Sequence, residues 1–157
     1  MKTEKRVVLF SNGEALSPER LHIRKDDYLI AVDGGLKHLE KLRLSPDLII
    51  GDLDSLDSHY LQNLERSSVE VLRFDPQKDD TDLALALRES IKRGYRYIVI
   101  AFGLGGRVDH LLGSLGLLEV AKAESIDTHF DDGTTRVFLF DDEIRLETKP
   151  QDLISLI

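Results

Sequence analysis

Short apolar runs alternate with segments of helical period through residue 131, which predicts an α/β protein built on a parallel sheet flanked by helices. Two further observations support this reading. Clusters of Gly and Asp recur directly after the apolar runs, where strand–helix loops of such a sheet would lie. Beyond Asp131 the helical period stops and turn signals multiply, which predicts the start of a small antiparallel β domain.

Val7 to Phe10, Tyr28 to Val32, Leu48 to Ile50, Val69 to Phe74 and Tyr95 to Ala101 read as buried strands, because each is a continuous apolar or β-branched run. Helices are expected over Leu36 to Leu42, Leu56 to Leu64, Asp82 to Ile91 and Val108 to Ala121. In the last of these, Val108, Leu111, Leu112, Leu115 and Leu118 would form one apolar face. The regular alternation makes the sheet Rossmann-like, with ligands expected outside the carboxyl ends of its strands. Residues 1–131 would form this domain and 132–157 the beginning of a β-sandwich. In that second part Thr134 to Phe140, Glu143 to Thr148 and Leu153 to Ile157 read as strands, and the last is cut short.

Composition narrows the function. The chain has 157 residues, 41% of them apolar, and no Trp, so the core must rest on Leu, Ile, Val and Ala. With no Cys, disulfides and thiolate metal sites are excluded, which suits a reducing cytoplasm. The apolar run at Val7 to Phe10 is too short for a signal peptide core or a membrane span. The net charge is −8 and no basic stripe runs along the chain, so neither nucleic acid nor membrane is an expected partner.

Four clusters carry chemistry. Asp33-Gly34-Gly35 follows the second strand, where glycines let a backbone approach a phosphate or simply make a tight turn. In Gly51-Asp52-Leu53-Asp54-Ser55, residues two apart in an extended chain share a side, so Asp52 and Asp54 would converge on a hard cation. Asp54 or Ser55 would equally cap the next helix. In Lys78-Asp79-Asp80-Thr81-Asp82, Thr81 is a natural N-cap and the acids favour the helix dipole, while Lys78 could reach a phosphate. Gly103-Leu104-Gly105-Gly106-Arg107-Val108-Asp109-His110 offers a glycine cradle ending in a guanidinium at a helix start. There Asp109 could be no more than the partner of Arg107, and His110 a packing residue. Four clusters on one predicted edge supply carboxylates for Mg²⁺, backbone donors and cations, the elements of phosphoryl chemistry.

These strings, together with Pro46 to Ile50 ahead of Gly51, resemble the thiamine pyrophosphokinase family, whose motifs occur in this order over roughly the first 115 residues. The resemblance implies transfer of a diphosphate from ATP to the hydroxyl of thiamine, giving thiamine diphosphate and AMP. It also implies Mg²⁺ held by Asp33, Asp52, Asp54 and Asp82. Asn12 and Gly13 would border the nucleotide, with Gly34, Gly35, Lys78, Thr81, Gly105, Gly106 and Arg107 on the phosphates. Asp109 and His110 would lie near the transferred group, and Asp54 or Asp109 would accept the hydroxyl proton. A homodimer is implied, with thiamine at its interface. Two rivals use the same edge: a diphosphokinase for another primary alcohol such as a hydroxymethyl pterin, and a non-catalytic Mg-nucleotide-binding module.

Overall fold

The computed structural model describes residues 5–52, 67–74 and 80–156. Its centre is a seven-stranded sheet. The strands are β1 (Arg6–Phe10), β2 (Tyr28–Val32), β3 (Leu48–Gly51), β4 (Glu70–Arg73), β5 (Tyr97–Ala101), β6 (Asp127–Asp131) and β7 (Arg136–Phe138). The spatial order is β4-β3-β2-β1-β5-β6-β7, parallel throughout except for the antiparallel β6–β7 pair. The helices are α1 (Leu36–Lys41), α2 (Asp82–Lys92) and α3 (Val108–Ala123). The helix expected over Leu56 to Leu64 lies outside the described residues, as do Asp54, Ser55, Lys78 and Asp79.

Central strands are apolar on both sides because helices or loops cover both faces. Val7, Leu9, Ile30, Val32, Ile50, Ile98 and Ile100 point to one face, against Leu83, Ala86 and Leu87 of α2 and Leu118 and Ala121 of α3. Val8, Phe10, Leu29, Ala31, Ile49, Val99 and Ala101 point to the other, against Leu36 and Leu39 of α1. Each large side chain so buried contributes about 1.5–3 kcal/mol. Crossovers leave each strand's carboxyl end and return along a face, so α2 and α3 start at the same edge. Thr81 caps α2, its hydroxyl accepting from the Ala84 amide at 3.2 Å.

Three features depart from the sequence reading. β6, with sequence Asp-Thr-His-Phe-Asp, was not anticipated, since only Phe130 is strongly apolar. Its alternation is nonetheless that of a strand: Thr128 and Phe130 are buried, while Asp127 is exposed. Secondly, α3 is buried only in its second half; Val108 and Leu112 are exposed and the expected apolar face is not covered along its length. Thirdly, the boundary expected at residue 131 falls within the β6–β7 hairpin of the main sheet. There Asp131 accepts from the Gly133 amide at 2.8 Å, and Asp132 accepts from Thr134 and Thr135 at 2.8 and 2.7 Å. Residues 143–148 and 153–156 form no strand; among the described residues none pairs with them, and a strand needs a ladder partner. Among the described residues no helix is long and apolar enough to cross a membrane.

Strand order reverses at β1. From β1 the chain builds outward through β2, β3 and β4, then crosses by α2 to β5 on the other side of β1. The crevice between the carboxyl ends of β1 and β5 is therefore the topological switch point, where open α/β sheets bind ligands.

Candidate active site

Asp33 leaves β2 in the left-handed region, at φ 48°, a conformation that Asp tolerates better than most side chains. It sits directly against β3. A Cβ on Gly51 would lie 3.2 Å from the Asp33 Cα, so the missing side chain at Gly51 makes room for Asp33. Asp52 follows Gly51, so two half-buried aspartates stand just past the carboxyl ends of the neighbouring strands β2 and β3. Gly34 and Gly35 are tight for a different reason. A Cβ on Gly35 would lie 1.7 Å from the Phe10 carbonyl oxygen, and one on Gly34 2.5 Å from Asn12 Oδ1. The space at both glycines is filled by β1 and its loop.

The loop after β1 is clamped from two sides. The Gly13 amide donates to the Phe102 carbonyl at 2.9 Å. The Gly13 carbonyl accepts from His38 Nε2 at 2.9 Å, which makes the ring the Nε2–H tautomer. His38 is 2% exposed, its Nδ1 has no partner among the described residues, and its ring lies 4.7 Å from Phe102. Burial holds the imidazole below its ordinary pKa, the Gly13 bond opposes this, and Lys37 and Lys41 push it further down. Phe102 is fully buried at φ 57°, an unusual conformation for a bulky residue and one that marks a strained strand end.

Beyond Phe102, Gly105 and Gly106 adopt φ of 86° and 77°, and a Cβ on either would meet nothing within 4 Å. This turn is open, unlike those at Gly34 and Gly35, and it leads into α3. Arg107 at its end is engaged by Asp109: Nε donates to Oδ1 at 3.1 Å and Nη2 to Oδ2 at 2.6 Å. Arg107 holds the exposed Asp109 carboxyl below its usual range, which weakens it as a base while the pair is intact. His110 is exposed beside them. At the start of α2, Asp82 is half-buried next to the Thr81 cap, and Asp80 pairs with Arg88.

Among the described residues no group of three or more His, Asp or Glu converges as a ready metal cage. The pair at Asp33 and Asp52 fits Mg²⁺ all the same, since that ion usually takes one or two carboxylates and completes its shell with water and substrate phosphate. Position directly after a strand does not single out Lys37, His38 and Lys41, which reach the same edge from α1. The two lysines at i and i+4 on a helix behind Asp33-Gly34-Gly35 were the signal.

A parallel α/β sheet that gathers carboxylates, an open glycine turn and cations at its carboxyl edge has the arrangement of a phosphate-handling protein. Residues 20–130 match the sequence model of the thiamin pyrophosphokinase catalytic domain, and the chain belongs to that family. It is 31% identical over 112 residues to the thiamine pyrophosphokinase of Bacillus subtilis, covering 71% of this chain and 52% of that protein. It is 27% identical over 124 residues to thiamin pyrophosphokinase 1 of Caenorhabditis elegans, covering 71% and 49%. The crystal structure of a thiamin pyrophosphokinase family protein from Enterococcus faecalis superposes with a TM-score of 0.69 at 28% identity, over 84% of this chain and 63% of that one. The chain spans about half the length of the curated relatives it matches.

Proposed function

We propose that this chain carries the Mg²⁺- and ATP-binding edge of a thiamine diphosphokinase, which moves a diphosphate from ATP to the hydroxyl of thiamine. The observation that carries the reading is the placement of Asp33 and Asp52 directly after the neighbouring strands β2 and β3, on the same sheet edge as an open glycine turn. Family membership supports the acceptor.

Asp33 and Asp52 would hold Mg²⁺, with Asp82 and Asp54 as the further carboxylates. When bound, the ion neutralises part of the phosphate charge and fixes the chain of phosphates in one geometry. The amides of Gly105 and Gly106 and the Arg107 guanidinium would bind phosphate oxygens, as would Lys78 and Thr81. For Arg107 this requires release from Asp109, and that release returns Asp109 toward an ordinary carboxylate. Asn12 and Gly13 border the nucleotide, with Gly34 and Gly35 beneath, and His110 stands near the transferred group.

In the reaction the thiamine hydroxyl oxygen attacks the β-phosphorus in line. The bond from that phosphorus to the oxygen bridging the α-phosphate breaks, and AMP departs. The hydroxyl proton passes to Asp54 or Asp109. The protein's work is positioning and charge neutralisation. A homodimer and a cytoplasmic location complete the proposal.

An acceptor panel tests it. AMP formation from ATP and Mg²⁺ is followed with thiamine, with a hydroxymethyl pterin and with neither. AMP formed only with thiamine supports the reading. AMP formed only with the pterin assigns the other diphosphokinase, and phosphate released with no acceptor assigns a hydrolase.

A further inference from the structure

A basin of about 460 Å³ opens at the switch point, between the loop after β1 and α1, with Gly106 on its far wall. That volume lies within the range of small-molecule sites. Its floor is Asn12 and Gly13, held by the His38 and Phe102 hydrogen bonds. Its charged groups are Lys37, Lys41 and Glu14, so it is net positive in a chain of net charge −8.

The Lys37 ammonium donates to Asn12 Oδ1 at 2.6 Å and lies 3.3 Å from the Asn12 carbonyl. Both acceptors are neutral, so they orient the group and leave its charge uncompensated. An ammonium has three donors, so at least one stays available to a ligand. Lys41 lies one turn along on the same side of the helix. Among the described residues neither lysine is within ion-pair distance of a carboxylate.

We propose that this basin is a phosphate subsite of the nucleotide site, in which Lys37 contacts polyphosphate oxygens and Lys41 adds charge behind it. The inference rests on the Mg-ATP reading above and extends it to residues on α1. It explains why two unpaired cations face the open glycine turn: the carboxylates at Asp33 and Asp52 would take the metal side of the polyphosphate, and the lysines the side facing away from it. The Asn12 side chain, seated over Gly34, fixes where the Lys37 charge stands.

Calorimetric titration with Mg-ATP and with magnesium tripolyphosphate tests the subsite. The variants are Lys37→Met, Lys37→Arg, Lys41→Met and, as a control on α2, Lys92→Met. Lys37→Met is expected to weaken both ligands roughly tenfold, the lower end for a hydrogen bond to a charged group. Lys41→Met is expected to weaken them about threefold, as a charge that acts without direct contact. Lys37→Arg should stay within about threefold of wild type, which separates lost charge from damaged fold. Wild-type binding of Mg-ATP with Lys37→Met indistinguishable from Lys92→Met would overturn the subsite alone. Binding of Mg-ATP without tripolyphosphate would also overturn it. Wild-type failure to bind either ligand would remove the Mg-ATP reading and the subsite together.

Discussion

Gly35→Ala offers a severe and well-defined perturbation. Gly35 has φ −63° and ψ −18°, ordinary for alanine, so backbone preference raises no objection to the change. The obstacle is space. A Cβ there would stand 1.7 Å from the Phe10 carbonyl oxygen, where contacts below 3.0 Å are essentially never seen, so roughly 1.3 Å must open. Neither side yields easily: Phe10 is fully buried and pairs with both β2 and β5, and the turn is anchored between β2 and α1. Overpacking usually costs 1–3 kcal/mol, and a backbone displacement in a central strand belongs at or beyond the top of that range, about 3 kcal/mol or more. At about 2–4 °C per kcal/mol for a chain of this size, the melting temperature should fall by at least 6–12 °C. Gly106→Ala is the comparison. Its φ is 77° and a Cβ would meet nothing within 4 Å, so only the left-handed strain of about 1–2 kcal/mol applies. Differential scanning calorimetry of both variants decides the matter. A Gly35→Ala protein melting within about 2 °C of wild type, or above Gly106→Ala, would refute the packing account of the Asp33-Gly34-Gly35 turn.

Breaking the buried Arg6–Asp27 pair by Asp27→Ala should cost about 3–5 kcal/mol, read by urea denaturation, because Arg6 is left buried and unpaired. Stability should also fall on acidification. Burial holds His38 and His129 below the unfolded value of about 6.5, so the unfolded chain takes up protons there that the fold does not. Their contribution is therefore complete above about pH 6.5 and is lost as pH falls from there toward the folded values; denaturation midpoints at pH 7.5 and 5.5 should show it, and a flat profile would contradict it. Arg107→Ala should weaken Mg-ATP more than thiamine in KM or titration; the opposite order would move Arg107 to the acceptor side.

Much of the fold was legible because the central strands are buried on both faces and therefore read as unbroken apolar runs. β6 was not legible: His129 and two aspartates hide a strand in which Thr128, Phe130 and even Asp131 are buried. The faces of α3 were not legible either, since apolar residues fall on several sides of it and only packing decides which side is covered. At the site, the sequence placed Asp33, Asp52 and the Gly105-Gly106 turn on one edge, because each follows a strand. It could not distinguish glycines that serve packing from glycines that leave room for a ligand. Gly34 and Gly35 are filled by Asn12 and Phe10, whereas Gly105 and Gly106 are open. Nor could spacing alone reveal His38, whose place depends on a long-range contact with Gly13.

The most direct test of the central claim is the Mg-ATP affinity of wild type against Asp33→Asn, Asp52→Asn and, as a surface control, Asp142→Asn. Asparagine keeps the shape of the side chain and tolerates the left-handed backbone at residue 33, so only the charge is removed. At least tenfold weaker binding in both site variants, with the control and all melting temperatures near wild type, is the predicted result. Unchanged affinity in Asp33→Asn and Asp52→Asn would contradict the assignment of this carboxylate pair to the metal-bound nucleotide.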